Sequence, residues 1–478
     1  MLITQYELLI CGFLEVIGEE DQKRPGGNAL VGHVFKVFSY SVDNPSYFCG
    51  NSLSSVLQGI QLNPDANLDI YELLDKYGYP LETHFVQTDD GYILALHRLP
   101  FGRNRTDADR RNNKPVILMM QGMFCSSMDY VNTGPGRALG LILAEAKYDV
   151  WLGNNRGTRW SRNHIKLNPD TDPEFWDFSF DTMGEYDLPA MIDYILKTTS
   201  QKNLIYIGFS QGITQFLAMA SLKPKYNNKI TVAVLMAPIA YTAHISSPLL
   251  RPILNNMNTI KEILNKFNIQ EILGYNHFMA KILSWIVSDG SPLQQLATHL
   301  VFLIYGYDKD QLNKTMLPVL VSNFPAGASA QMAYHIAQIS HSDNFTRYDY
   351  GKEKNVKIYG RPNPPKFNLS AVTTPVALYY AKNDFLAAYE DVVKLSKELP
   401  NVIKNHTVNY TNFNHIDFLV AKDVSTLLYN DIRMLIYNYT SSKDIDITIA
   451  ILPIPGCALT KSAELVLILA LIGILKSL

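Results

Sequence analysis

The stretch Asn203–Gly212, NLIYIGFSQG, decides the architecture of this 478-residue chain. Leu204 to Ile207 is an unbroken apolar run, the pattern of a strand buried on both faces. Gly208-Phe209-Ser210-Gln211-Gly212 follows at once and fits G-x-S-x-G. Gln211–Leu222 then carries apolar positions three or four apart, as an amphipathic helix does. Taken alone, a five-residue pattern of this kind arises easily by chance. Strand, tight turn and helix in that order give it meaning, because the turn holds the serine hydroxyl out above the sheet edge. The glycines leave room for that turn, and Ser210 becomes the candidate nucleophile.

Working outward, Lys114–Gly122, Tyr148–Gly153, Ile230–Ala237 and Pro375–Ala381 have the same apolar character as Asn203–Ser210 and read as strands. Leu188–Thr198, Gln211–Leu222 and Tyr389–Leu399 read as helices between them. Strands that are apolar throughout and alternate with helices predict an α/β fold, a mostly parallel sheet flanked by helices on both faces. Between about 241 and 370 the alternation stops. The segment is rich in aromatic, Ile and Leu residues, with helical spacing over Ile263–Leu273 and His277–Val287, and loosens into a polar loop over Ser340–Pro365. It is expected to be a helical cap or lid inserted into the core; the plainer alternative is a second helical domain with no part in binding. The chain thus divides into an N-terminal extension without assigned role (1–60), a core (61–240 and 371–440), the cap insertion (241–370) and a C-terminal extension with an apolar tail (441–478).

A serine hydroxyl attacks only when a base removes its proton and an acid orients that base. With a G-x-S-x-G elbow these partners follow in the order Ser, Asp or Glu, His. Asp384 is read as ending the strand PVALYYAKND, at the carboxyl edge of the sheet. His415, in FNHIDF, follows the strand-like HTVNYTNF and precedes the last helix, so it is the candidate base. Asp391 and Asp417 compete with Asp384 for the acid role. A tetrahedral intermediate needs two N–H donors for its oxyanion. The backbone of Gln211, next to the nucleophile, and of Met123, in the loop QGMF after VILMM, are the candidates.

Hydrophobic residues make up 47% of the chain and charged residues 18%, with a net charge of −2, which supports a large core and gives no electrostatic footprint for nucleic acid. The four cysteines, Cys11, Cys49, Cys125 and Cys457, show no metal-ligand spacing; neither metal nor cofactor is expected, and a Cys11–Cys49 disulfide is one of several open pairings. Seven sequons, at Asn104, Asn313, Asn344, Asn368, Asn405, Asn409 and Asn438, favour the secretory pathway, with a secreted or lysosomal destination. The opening MLITQYELLICGFLEVIGEE lacks the basic start and unbroken apolar stretch of a signal peptide. The apolar run Leu465–Leu475 is short for a membrane span, though it is compatible with membrane or lipid anchoring.

Longer motifs extend this reading. YELLDKYGYPLETHFVQTDDGYILALHRLP (Tyr71–Pro100), NNRGTRWSRNH (Asn154–His164), FWDFSFDTMGEYDLPA (Phe175–Ala190), GFSQG, NDFLAAYEDV and NHIDF together resemble the acid lipase family, which includes gastric and lysosomal acid lipases and many insect lipases. The resemblance spans about Asn63 to Tyr439. It implies an α/β-hydrolase fold and a Ser210–Asp384–His415 triad. It also implies hydrolysis of neutral lipid esters, triacylglycerols or sterol esters, at a lipid–water interface beneath a mobile cap. The chain departs from the family's pattern in two places: Gln121-Gly122 stands where His-Gly is usual, and Phe209 stands where the elbow usually has histidine. A carboxylesterase of small soluble esters and a non-catalytic lipid-binding relative are the competing readings.

Overall fold

Strands β3 (Val116–Met120), β4 (Asp149–Gly153) and β5 (Leu204–Phe209) are buried at every position, as uninterrupted apolar runs require when both faces of a sheet are covered. They are the centre of an eight-stranded sheet in a computed structural model that describes residues 62–103 and 114–440. The remaining strands are β1 (Glu82–Gln87), β2 (Ile93–Leu99), β6 (Ile230–Met236), β9 (Val376–Tyr380) and β10 (Val402–Thr407). Their order across the sheet is β1-β2-β4-β3-β5-β6-β9-β10. Pairings from β4 to β10 are parallel, whereas β1–β2 and β2–β4 are antiparallel. The sheet is therefore mostly parallel, as expected, with an antiparallel hairpin at one edge.

Helices Leu139–Glu145, Leu188–Thr199, Gln211–Leu222 and Tyr389–Glu398 make the crossovers of the parallel part. They and the sheet share one large apolar core. The edge strand β10, VIKNHT, instead alternates half-buried and exposed positions, because only one of its faces meets the core. Readings that concern residues 1–60 and 441–478, including the Cys11–Cys49 pairing, Cys457 and the run Leu465–Leu475, lie outside the described residues, as does Asn104. The remaining cysteine, Cys125, is buried and free.

Between β6 and β9 the chain passes through helices Leu250–Asn255, Met257–Lys266, His277–Ile286, Gln294–Tyr305, Leu317–Val321, Ala330–Ser342 and Lys352–Tyr359. Ile245, Leu254, Met257, Leu264, Ala330, Tyr334, Ala337 and Tyr348 form a small core of their own. Phe302, Leu317, Met332 and Phe345 pack instead into the main core. The insertion therefore continues the body of the molecule on one side while keeping a satellite cluster on the other.

Four local expectations differ. The helical spacing read over Ile263–Leu273 belongs to a helix that ends at Lys266; Asn268 and Leu273 both have positive φ, and β7 (Glu271–Ile272) pairs with β8 (Ala328–Ser329) as a separate two-residue ladder. The polar loop Ser340–Pro365 contains the helix Lys352–Tyr359, whose good helix formers have no apolar stripe to betray them, and Gly360 closes it in the left-handed conformation. The strand sought in HTVNYTNF lies earlier, at Val402–Thr407, because Phe413 is buried as a loop anchor and not as part of an alternating face. Asp384 stands in the loop after β9, which ends at Tyr380.

Candidate active site

Ser210 sits between β5 and the helix that follows, with φ +53° and ψ −117°, a conformation that costs a non-glycine residue about 1–3 kcal/mol. Its neighbours show why the turn must be so tight. A Cβ on Gly212 would lie 2.4 Å from the Met120 carbonyl oxygen, and one on Gly208 would lie 3.0 Å from the Tyr206 ring. Tertiary contacts hold the strained residue: its N–H donates to the Met236 carbonyl (3.0 Å), and its own carbonyl accepts from Ile213 N–H (2.9 Å).

The structure brings His415 and Asp384 to this serine. His415 Nε2 lies 2.9 Å from Ser210 Oγ, and His415 Nδ1 lies 2.8 and 3.0 Å from the two Asp384 oxygens. Because Nδ1 faces only carboxylate oxygens, it carries the proton in the neutral ring, which leaves Nε2 free to accept from the hydroxyl. Asp384 is fixed in turn by the N–H groups of Leu386 (2.9 Å) and Ala387 (2.8 Å), both donating to Oδ1. All three side chains are buried. The rival acids are engaged elsewhere. Asp391 pairs with His244 Nδ1 (2.6 Å) and accepts the His244 N–H (3.0 Å), and Asp417 accepts from the Asn414 N–H (2.8 Å).

The loop after β3 runs beside the serine. A Cβ on Gly122 would meet Ser210 Cβ and the Phe209 ring at 3.2 Å, so this glycine lets Met123 follow close by. Gln211 heads its helix, where the first N–H groups have no intrahelical acceptor. The next residue in the loop, Phe124, has φ +63°, and its carbonyl accepts from Ala326 N–H (2.7 Å) of the insertion. The two departures noted in the sequence lie in this same region. Gln121 is buried; with its amide turned so that both ends are paired, it donates to the Gly153 carbonyl and accepts from Asn155 N–H, both at 2.8 Å, which ties the loop to the end of β4. Phe209 packs its ring 5.0 Å from the imidazole of His415.

Sequence reasoning missed a further set of residues. The Tyr305 carbonyl accepts from both Phe385 N–H and His415 N–H (3.3 Å each), bridging the loop of Asp384 and the loop of His415. Asn414 donates its side-chain N–H to the Gly306 carbonyl (2.8 Å), and Asn383 donates to the carbonyls of Tyr307 (3.0 Å) and Asn412 (2.7 Å). The contacts of Tyr305, Gly306 and Tyr307 reach more than 75 residues along the chain, and Asn383 reaches 29 to Asn412, so no local pattern announces them. The arrangement as a whole is a polarised hydroxyl, an oriented imidazole and a nearby turn of backbone amides, which is the equipment of acyl transfer.

Two protein-family models match the chain. One, described as the partial alpha/beta-hydrolase lipase region, covers residues 70–134; the other, the alpha/beta hydrolase fold, covers residues 115–421. Lipase 1 of Drosophila melanogaster is 39% identical over 382 residues, which cover 79% of this chain and 81% of that protein. Gastric triacylglycerol lipase of Bos taurus is 37% identical over 378 residues, covering 79% and 93%. The Homo sapiens gastric triacylglycerol lipase is 35% identical over 376 residues, covering 78% and 92%.

Proposed function

The chain belongs to the acid lipase family of α/β-hydrolases, and on that premise we propose that it is a lipase hydrolysing neutral lipid esters, triacylglycerols or sterol esters, through an acyl-enzyme on Ser210. The continuous hydrogen-bonded line from Asp384 through His415 to Ser210 is the observation that carries this reading. His415 Nε2 takes the hydroxyl proton as Oγ attacks the ester carbonyl carbon. The backbone N–H groups of Met123 and Gln211 receive the developing oxyanion. The C–O bond to the alcohol breaks as His415 returns the proton to the leaving oxygen. Water, deprotonated by the same nitrogen, then releases the fatty acid and restores Ser210. Asp384 keeps the imidazole in its working tautomer and faces the charge that forms on it.

Residues 241–370 act as the cap. Exposed apolar side chains gather on this segment: Ile263, Phe267, Phe278, Trp285, Leu293 and Leu300 all face outward. An apolar face of this kind suits a lipid surface better than a dissolved small ester, which favours lipase over carboxylesterase. Passage through the secretory pathway, to a secreted or lysosomal destination, accords with the sequons: of the six within the described residues, none has a buried asparagine. No helix among the described residues is long and apolar enough to cross a membrane. The decisive experiment is hydrolysis of emulsified long-chain triacylglycerol and sterol ester, beside short soluble esters, by wild type and Ser210→Ala. Turnover of short esters alone would move the assignment to a carboxylesterase, and no turnover at all would leave a lipid-binding protein.

A further inference from the structure

Four residues of the insertion, Tyr305–Asp308, run as a strap across the loops that carry Asp384 and His415. At its end Asp308 meets Asp417, two residues beyond His415. Both aspartates have 0% exposure, and their carboxyl groups are hydrogen-bond neighbours. On each, one oxygen is occupied. Asp308 Oδ1 accepts from the N–H groups of Asp310 and Gln311 (3.1 Å each), and Asp417 Oδ2 accepts from Asn414 N–H (2.8 Å). The other two oxygens, Asp308 Oδ2 and Asp417 Oδ1, are also buried, and among the described residues no N–H or O–H donor reaches either. Two ionised carboxylates so placed would each forfeit solvation and would repel. One proton between them makes one oxygen a donor and the other its acceptor, which satisfies both at once.

We propose that Asp308 and Asp417 share one proton, and that the protonated pair is a positioning device fastening the insertion's strap to the loop of His415. This rests on the assignment of Ser210, His415 and Asp384 as the reacting groups. The pair acts through His415 and touches no substrate. The strap it secures supplies the Tyr305 carbonyl that receives His415 N–H and the Gly306 carbonyl that receives the Asn414 side chain. The charges facing Asp417 are those of Asp308 and Asp384, both carboxyls; Tyr410 places its hydroxyl 3.5 Å from Asp308 Oδ1, and Asp310 follows on the strap. Burial first, and then these carboxyls, push the Asp417 carboxyl up to about 8. The folded state therefore holds a proton that the unfolded chain has already released above the ordinary carboxylate range, so stability falls as pH rises from about 4 toward 8. Above that window the proton passes to solvent, the two carboxylates repel, and the strap parts from the loop of His415. A neutral histidine base alone leaves the alkaline side of the turnover profile flat; the pair gives it a descending limb.

The test uses the full-length chain as wild type, Asp417→Asn and Asp417→Ala, with a soluble p-nitrophenyl ester and, separately, infrared spectroscopy. Asp417→Asn puts a permanent N–H where the shared proton lies. Its kcat at pH 7 should stay within about threefold of wild type, and its alkaline half-loss should move up by about one pH unit or more. Asp417→Ala should lower kcat about tenfold or more at pH 7, with KM little changed, and the gap to wild type should close above the alkaline limb. The protonated-carboxyl band of wild type at pH 7 should weaken in Asp417→Asn. An alkaline limb that is the same in wild type and Asp417→Asn, or no such band, overturns the shared proton even when Ser210→Ala is inactive. A band that behaves as stated while Ser210→Ala stays active would instead overturn the assignment of the reacting groups.

Discussion

The backbone N–H of His415 donates to the carbonyl of Tyr305 at 3.3 Å, and the two rings lie 7° from parallel with centroids 6.0 Å apart. The same carbonyl accepts from Phe385 N–H, next to Asp384. One residue of the insertion therefore sets the spacing between the loop of Asp384 and the loop of His415. Hydrogen-bond reach to Ser210 depends on that spacing, since a misplacement of about 1 Å can cost on the order of 10²-fold in rate.

Ser210→Ala is expected to lower ester hydrolysis by about 10⁴-fold or more while the circular dichroism spectrum and melting temperature stay near wild type. Asp384→Asn should cost about 10⁴-fold, and adding it or His415→Ala to Ser210→Ala should cost little further, because the three act as one unit. Asp391→Asn should leave turnover within about tenfold. Initial rates on a chromogenic ester rank these variants, and an Asp391→Asn loss larger than that of Asp384→Asn would reassign the acid.

Gly306 is the point where the strap crosses the loop of Asp384. It has φ +117°, and an added Cβ would lie 2.1 Å from the Asn383 carbonyl oxygen. Gly306→Ala should destabilise the protein by about 1–3 kcal/mol and depress kcat more than it raises KM. Urea titration and steady-state kinetics on the same preparation check both effects. Full activity with an unchanged midpoint would show that the strap is not needed for the geometry of His415.

Phe278 is 68% exposed and Trp285 39% exposed on one helix of the insertion. Phe278→Ser combined with Trp285→Ser should reduce hydrolysis of emulsified long-chain triacylglycerol several-fold while short soluble esters are turned over as before. The ratio of the two activities is the measurement. Point substitutions are preferable to deletion of 241–370, because deletion would also remove Tyr305 and Gly306 from the loops of Asp384 and His415. An equal fall in both activities would return the insertion to an ordinary structural role.

His244, near the start of the insertion, pairs with the buried Asp391, and that hydrogen bond raises the imidazole above its usual range. A histidine with a raised folded-state pKa contributes stability that is fully present below about 6.5, its unfolded value, and is lost as pH rises through the folded value. Asp391→Asn should therefore lower the melting temperature more at pH 5.5 than at pH 8.5. Because the His244 side chain is about half exposed, salt should shrink the difference. A melting-temperature loss that is independent of pH would show that Asp391 serves only the His244 backbone N–H.

The alternation of apolar runs and amphipathic stretches, with the G-x-S-x-G turn between Phe209 and the helix from Gln211, was legible in the sequence because short-range periodicity and turn chemistry encode it within a few residues. The Ser, Asp, His order was legible for the same reason, since it follows from chain direction in a sheet whose loops share one edge. Which aspartate meets His415 was legible only as a preference for Asp384, at the sheet edge, over its neighbours. Asp384 and Asp391 both stand between Ser210 and His415, Asp417 stands two residues beyond it, and only the folded loops place Asp384 2.8 Å from Nδ1 while giving Asp391 to His244 and Asp417 to Asn414 and Asp308. The strap was equally hidden, because Tyr305 reaches His415 across 110 residues, a contact paid for in chain entropy and realised only when helix Gln294–Tyr305 packs on the core. Local sequence thus determined the sheet, its elbow and the kinds of residue at its edge. Tertiary packing alone decided which of them touch, since each contact depends on where two distant segments come to rest.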